Sequence, residues 1–248
     1  MAEATWFSAG LEHVAADDTW LDPFLAERLG RMRYTKRLVE ARLGRWTAKH
    51  ALARTLGLPT DPASLADVVV LNAPDGAPEA FVAGEPAGAV IAMTDRADWA
   101  VSAVLAGTDR VGCDLEIVET RSTAFVRDYF TPPEQALVAG GEHDLMANLI
   151  WSAKESALKV LRTGLRRDTR TVEVRCAPAT GTEPSSWRPL MVTALEGNQM
   201  PGWWIRYGKF VLTLCAAVAT EPPRSLEEPP PLATARPSHT WMDQPFVD

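Results

Sequence analysis

The stretch that decides the fold reads Val111-Gly112-Cys113-Asp114-Leu115-Glu116, and a second stretch about forty residues later reads Trp151-Ser152-Ala153-Lys154-Glu155-Ser156-Ala157-Leu158-Lys159. Apolar and polar residues alternate with period two in the first stretch, which predicts a β-strand with Asp114 and Glu116 on one face. The second stretch has a helical pattern, in which Glu155 and Lys159 lie one turn apart on a shared face. We therefore expect a strand and a helix that pack together.

Such packing would bring three carboxylates and one ammonium group together. Neighbouring carboxylates raise each other's pKa, so the cluster is costly unless a cation neutralises it. An all-oxygen ligand set suits a hard divalent ion, and magnesium shared with a phosphate ligand fits best. The pattern therefore predicts magnesium-dependent phosphate chemistry at Asp114, Glu116 and Glu155.

The composition is that of an ordinary globular protein. The 248 residues are 46% hydrophobic and 23% charged, enough for one large domain or two small ones. No stretch is long and apolar enough to span a membrane, and the first residues do not form a signal peptide. Cys113, Cys176 and Cys215 lie far apart, which fits neither a disulfide framework nor a zinc site. We expect a cytoplasmic protein that does not bind a membrane.

The charge is acidic in total but basic in two places. The net charge of −7 argues against general nucleic-acid binding. Residues 25–54 nevertheless contain nine basic and two acidic side chains, and residues 151–170 contain six basic and two acidic ones. This distribution indicates an anionic ligand or an acidic partner that binds at one place.

The order of predicted elements indicates an α+β protein with two halves of similar make-up. Residues 22–56 have a helical pattern and are followed by short strands, and the strand at Val111 is followed by two helices and more strands. We divide the chain at 1–110 and 111–220, and no internal sequence repeat is evident. Residues 221–248 are rich in proline and acidic residues, which predicts a disordered tail.

Both motifs, in this order and at this spacing, resemble those of the surfactin-type (Sfp-type) 4′-phosphopantetheinyl transferases. That family has an Ile/Val-Gly-Ile/Val-Asp strand followed by a Phe/Trp-Ser/Cys/Thr-x-Lys-Glu-Ala/Ser-x-x-Lys helix. The segment Gly44-Arg45-Trp46-Thr47-Ala48-Lys49 also looks like the family's Gly-Arg-x-x-Ala-Lys segment. The resemblance covers roughly residues 25 to 218.

The resemblance implies a monomer whose two α/β halves are related by a pseudo-two-fold axis, with coenzyme A bound in the cleft between them. It implies transfer of the phosphopantetheine arm from coenzyme A to a serine of an apo acyl or peptidyl carrier protein, with release of 3′,5′-ADP. Asp114, Glu116 and Glu155 would hold magnesium on the pyrophosphate. Lys159 and Lys154 would neutralise charge on the phosphates or the leaving group.

Two positions depart from the family pattern. Many relatives have a histidine where this chain has Asp95, and many have Gly-Lys-Pro where it reads Gly76-Ala77-Pro78. An aspartate would repel phosphates, so we expect Asp95 to face away and Arg96 to substitute for the histidine. The remaining phosphate binding is then expected from three cations of the N-terminal helix: Arg37, Arg45 and Lys49.

The serine hydroxyl must lose its proton during the transfer, and the residues leave the base open. Glu155 is the first choice, with Glu116 or a water held by either carboxylate as the alternative, because a metal-bound carboxylate is a poor base. Two other functions also stay open. One is a non-catalytic relative that binds coenzyme A or a carrier protein, and the other is a magnesium-dependent phosphohydrolase. The sequence identifies neither the carrier protein nor its pathway, be it polyketide, nonribosomal peptide or fatty acid synthesis.

Overall fold

The strand and the helix predicted from the two deciding stretches are both present and pack against each other. The computed structural model describes residues 1–177 and 186–246. The strands of this described part are β1 (Ala4–Gly10), β2 (Val68–Asn72), β3 (Pro78–Val82), β4 (Glu85–Pro86), β5 (Ala89–Arg96), β6 (Trp99–Ala106), β7 (Val111–Ile117), β8 (Val172–Cys176), β9 (Arg188–Ala194), β10 (Gln199–Tyr207), β11 (Phe210–Ala216) and β12 (Arg224–Ser225). Its α-helices are α1 (Pro23–Gly30), α2 (Thr35–Thr55), α3 (Pro62–Leu65), α4 (Thr123–Tyr129), α5 (Pro132–Gly140) and α6 (His143–Val160).

The second half is a five-stranded antiparallel sheet covered by one long helix. The strand order is β7-β11-β10-β9-β8, and α6 packs on β7 and β11. Gly112 makes this contact possible, because a Cβ at that position would lie 2.0 Å from the backbone oxygen of Ser156. A capping box of Thr131 and Glu134 starts the preceding helix α5. Because Gly112 has no side chain, the backbone of β7 directly contacts the backbone of α6.

The first half repeats this plan with a second sheet. Strands β12-β1-β6-β5 form a four-stranded sheet, α2 packs on β1 and β6, and β2-β3-β4 form a small separate sheet. The two larger sheets meet where β5 lies beside β7, and the Thr94 hydroxyl accepts a hydrogen bond from the Leu115 backbone N–H at 3.2 Å. The structure is thus a mixed α+β fold, as predicted, while the pseudo-two-fold axis and the monomeric state stay predictions.

A local repeat that the sequence analysis missed links the two long helices. Trp46-Thr47-Ala48-Lys49 in α2 corresponds to Trp151-Ser152-Ala153-Lys154 in α6. Both lysines are fully buried, and each forms an ion pair with an acidic residue at the start of an earlier helix, Asp22 at 2.9 Å and Glu134 at 2.8 Å. Four residues are too few to be distinguished from chance in the sequence alone, but in the structure the two lysines make matching contacts.

Three parts of the chain differ from the sequence prediction, and two of them lie in the first half. Residues 22–56 form two helices, because the chain leaves the helical conformation between Gly30 and Thr35. Strand β1 was missed because all seven of its residues are buried, and its apolar and polar residues do not alternate.

The tail is the larger correction, since we expected residues 221–248 to be disordered. Ser225 pairs in parallel with Trp6 of β1, and Leu232 is fully buried, where its backbone N–H donates to the Ser8 hydroxyl. The prolines shape an extended path without preventing burial of the apolar residues between them. Residues 247 and 248 of this tail lie outside the described residues.

The helices of the described residues were also compared with the length and apolarity that a membrane span requires. None of those within 1–177 and 186–246 meets both requirements.

Candidate active site at the junction of the two sheets

The two deciding stretches bring Asp114 and Lys159 into contact. Asp114 is 4% exposed, and its Oδ1 accepts hydrogen bonds from Lys159 Nζ at 2.9 Å and from the Thr94 hydroxyl at 3.1 Å. Lys159 also donates to the backbone carbonyl of Cys113 at 2.8 Å. Burial alone would lower the pKa of the Lys159 ammonium, but Asp114 and the other acidic groups around it, among them Glu155, together outweigh this effect, so that pKa lies above its usual range. Lys159 is therefore a fixed cation beside the carboxylates.

Glu116 and Glu155 lie close enough to Asp114 for their charges to interact. Burial raises the pKa of Glu116 to about 7 and that of Glu155 to about 8, and the Asp114 carboxylate adds to both shifts. These two carboxyl groups are thus partly protonated near neutral pH. A cation at this place would lower both pKa values and favour the charged forms.

The donor chemistry of the cluster fits a hard divalent cation. Asp114 Oδ2 is buried and accepts no hydrogen bond from the described residues, so this carboxylate oxygen could bind a cation. Within 1–177 and 186–246, no three acidic, histidine or cysteine side chains lie close enough together to hold one ion. Carboxylate oxygens are the ligands that magnesium prefers, but Asp114, Glu116 and Glu155 would have to move closer together to share one ion.

Arg96 lies at the cluster, but it contacts carboxylates. Its Nε is 3.4 Å from Glu116 Oε2, and its Nη2 is 3.7 Å from Glu119 Oε1. Asp95 lines the neighbouring cleft, which differs from the expectation that it faces away. Strand β5 runs along this cleft, so the consecutive residues Met93, Thr94 and Asp95 all line it.

A cleft of about 970 Å³ opens beside the carboxylates. Arg45 of α2, Lys159 of α6 and the turn Gly76-Ala77-Pro78 contribute to its lining. The Arg45 guanidinium donates to Asn72 Oδ1 and lies 3.2 Å from the sulfur of Met93. Burial and the nearby Arg28 lower the pKa of Arg45 to about 10, so it stays cationic at neutral pH. The cleft therefore has cations contributed by both halves of the chain.

Three cations predicted to bind phosphate lie elsewhere. Lys154 is fully buried and donates to Glu134, to the Thr169 carbonyl at 2.9 Å and to the Val172 carbonyl at 2.6 Å. Lys49 is equally buried against Asp22 and the Leu65 carbonyl. The contacts of both lysines are internal to the protein, and neither lysine lines the cleft, which favours a structural role for both.

The third of these cations is Arg37, which is exposed on α2. Its guanidinium lies 6.0 Å from the ring centroid of Tyr34, and Arg37 is not among the residues that line the cleft. A solvated arginine is the simpler description of this position.

Sequence reasoning missed residues that join distant parts of the chain. Arg162 and Arg166 line the cleft, where Arg162 Nη2 donates to Asp75 Oδ1 at 3.0 Å and Arg166 Nη2 donates to the Asp75 carbonyl at 3.1 Å. Arg162 has a φ of 59°, which is uncommon for a residue with a side chain. A basic run after a helix gives no hint of a partner 87 residues earlier, so no sequence signal identifies this contact.

Comparisons with solved structures give only distant likeness. A holo-acyl-carrier-protein synthase from Plasmodium yoelii is 15% identical, with 44% of this chain and 96% of that chain covered and a TM-score of 0.36. The holo-[acyl-carrier-protein] synthase from Thermotoga maritima is 20% identical, with 52% and 75% covered and a TM-score of 0.35. These values are too low to support an argument, and no curated protein matches the sequence.

The comparison with protein-family models is more informative. Residues 110–215 match the model of the 4′-phosphopantetheinyl transferase superfamily. This segment contains the four residues that the two motifs bring to one place, namely Asp114, Glu116, Glu155 and Lys159. The part of the chain that carries the carboxylate cluster is therefore similar to the model of the 4′-phosphopantetheinyl transferase superfamily.

Proposed function

We propose that this chain is a surfactin-type, magnesium-dependent 4′-phosphopantetheinyl transferase that acts on apo acyl or peptidyl carrier proteins. The observation that carries the proposal is the position of Asp114, Glu116 and Glu155 beside a cleft that both halves of the chain line with cations. A single chain thus supplies the whole candidate site, which supports a monomeric enzyme. The superfamily match of residues 110–215 supports the same reaction class.

Coenzyme A is the proposed ligand of the cleft. Arg45 and Lys159 supply positive charge for its phosphates, and the volume of about 970 Å³ lies at the upper end of small-molecule sites. Asp114, Glu116 and Glu155 would hold magnesium. When bound, that ion supplies charge neutralisation on the pyrophosphate.

The reaction needs alignment and one proton transfer. The serine oxygen of the carrier forms a bond to the phosphorus that bears the pantetheine arm, while the bond from this phosphorus to the bridging oxygen breaks and 3′,5′-ADP leaves. Glu155 is our proposed acceptor of the serine proton, and Glu116 or a water held by either carboxylate is the alternative. Lys159 offsets negative charge that develops during the step.

Intact-mass analysis of apo carrier proteins tests this function. A panel of carriers is incubated with the chain, coenzyme A and magnesium, with EDTA in a parallel sample. We expect a mass gain of one phosphopantetheine arm that EDTA abolishes. Coenzyme A binding without any mass gain would favour the non-catalytic alternative, and release of free phosphopantetheine without a carrier would favour the phosphohydrolase.

The assignment of Arg45 to coenzyme A gives a separate prediction. Arg45→Ala should raise the apparent KM for coenzyme A by roughly tenfold to a hundredfold, because a hydrogen bond between charged groups contributes about 1.5–3 kcal/mol. Arg37→Ala is the matched control on the same helix and should leave that KM unchanged, since Arg37 lies outside the cleft. Steady-state kinetics with variable coenzyme A measures both. Equal effects of the two substitutions would contradict the assignment.

A further inference from the structure

Arg121 is a buried arginine that the reaction scheme does not use, although it contacts the carboxylate cluster. Its side chain is 6% exposed, and its Nη2 donates to Glu116 Oε2 at 3.1 Å. Its Nε donates to Asn148 Oδ1 of α6 at 2.6 Å. Asn148 is itself fixed, because its Nδ2 donates to the backbone carbonyls of Glu119 at 2.6 Å and Asp144 at 2.8 Å. The helix thus sets the orientation of the guanidinium that holds Glu116.

The end of the chain reaches the same guanidinium. Residues 238–246 form a turn, in which Thr240 N–H donates to the Gln244 carbonyl at 2.7 Å. We name residues 238–246 the C-terminal turn. Its Trp241 ring lies with its centroid 5.4 Å from the Arg121 guanidinium carbon, and the ring of Phe125 lies 5.0 Å from that carbon. Arg121 is therefore covered by one ring from its own region and one from the tail.

Polar contacts fix where the C-terminal turn lies. The Trp241 backbone N–H donates to Glu119 Oε1 at 2.9 Å, and Asp243 forms an ion pair with Lys36 of α2 at 2.6 Å. The turn thereby connects the first-half helix with the segment that follows β7. Trp241 itself is 48% exposed, so it can be replaced without opening the core.

The contacts of Arg121 and Arg96 with Glu116 are those expected around a carboxylate that binds a metal ion. A carboxylate has two oxygens, and Arg121 together with Arg96 occupies Glu116 Oε2. No hydrogen bond to Glu116 Oε1 is present in the described part of the chain, so that oxygen is available to a ligand. Hydrogen-bonded partners behind a ligating carboxylate orient it, and their loss costs about 10-fold to 100-fold in metal affinity or activity.

We propose that Arg121 is a positioning residue for Glu116 and that Trp241 of the C-terminal turn holds Arg121 in place. The inference rests on the proposed function, because it assigns Glu116 to magnesium and coenzyme A. In this proposal the tail supports the site, whereas its composition predicts a disordered segment.

Manganese binding by the full chain tests the proposal without relying on turnover. Mn²⁺ is titrated in the presence of coenzyme A and followed by electron paramagnetic resonance, for Arg121→Gln, Trp241→Ala, Trp241→Phe and the double variant Arg121→Gln/Trp241→Ala. Met242→Ala is the matched control, because Met242 is the exposed neighbour of Trp241 in the same turn. Transfer kinetics on the same variants separate kcat from the KM for coenzyme A.

We expect Arg121→Gln to raise the half-saturating Mn²⁺ concentration by about 10-fold to 100-fold and to lower kcat while the KM for coenzyme A changes little. Trp241→Ala should have a smaller effect of the same kind, which Trp241→Phe restores, and Met242→Ala should match the unchanged chain. The double variant should be no worse than Arg121→Gln alone, because both substitutions act on one contact.

Several results would overturn the proposal. Unchanged Mn²⁺ binding in Arg121→Gln would show that the arginine does not position a metal ligand. If the losses of Mn²⁺ affinity in the two single variants add up in the double variant, Trp241 does not act through Arg121. If Arg121→Gln fails to fold, unchanged Mn²⁺ binding in Trp241→Ala still excludes the role of the turn. Absence of transfer by the unchanged chain would instead contradict the proposed function, and the Mn²⁺ titration separates the two.

Discussion

Glu155→Gln should reduce phosphopantetheine transfer by on the order of a thousandfold and, at the same time, make the ligand-free protein more stable at pH 8. Glutamine cannot accept the serine proton, and its amide is a poorer ligand for a hard cation. The loss of activity is the usual consequence of removing a base. The gain in stability is the more specific expectation, because it follows from the crowding of carboxylates in this cluster.

The direction of the stability change follows from the pKa of Glu155. Burial and Asp114 raise it from the ordinary 4.5 to about 8 in the folded chain. Between these values the folded chain keeps a proton that the unfolded chain has lost, so the free energy of unfolding falls as the pH rises through this window. Glutamine removes that cost. We expect Glu155→Gln to gain roughly 1–3 kcal/mol at pH 8 and little near pH 4.5.

Urea unfolding at pH 5 and pH 8, with EDTA present, measures the gain. Glu196→Gln is the matched control, because the hydrogen bond from Arg167 lowers the pKa of Glu196 to about 2. That substitution should bring no gain at either pH. A Glu155→Gln protein that is less stable than the unchanged chain at pH 8 would contradict the description of the cluster as a strained set of buried carboxylates.

The sequence predicts the centre of the site well because local patterns determine it. Period-two alternation places Asp114 and Glu116 on one face of β7, and helical spacing places Glu155 and Lys159 on one face of α6. Gly112 then allows the close backbone contact that brings these faces together. These are short-range signals, and the structure agrees with them.

The roles of the basic residues were harder to predict, because the sequence does not show whether a lysine binds a phosphate or a buried glutamate. Whether Lys154 or Arg45 reaches the cleft depends on which helix face is turned inward over a whole sheet. The guanidinium of Arg121 contacts the ring of Trp241, which lies 120 positions later. Trp241 belongs to a tail that the composition predicts to be disordered. Long-range pairings of this kind leave no periodic signal.

Lys154→Met should lower the free energy of unfolding by about 3–5 kcal/mol, because removal of one partner from a buried ion pair leaves the other charge uncompensated. The lysine and Glu134 are both 0% exposed, and the two carbonyls that Lys154 binds would also lose their donor. Lys49→Met is the matched substitution in the other half and should cost a similar amount through Asp22.

The double variant Lys154→Met/Glu134→Gln distinguishes a structural lysine from one that binds coenzyme A. The glutamine side chain carries no charge, and its amide oxygen can still accept the hydrogen bond that Glu134 Oε1 takes from the Val174 N–H, so part of the lost stability should return. The KM for coenzyme A of the folded fraction should stay within about threefold of the unchanged chain, since neither side chain lies in the cleft. A stable Lys154→Met protein with a KM raised more than about tenfold would reverse this assignment. The same lysine would then have to leave Glu134 when coenzyme A binds, which would expose a buried carboxylate at the start of α5 and link ligand binding to the stability of that helix.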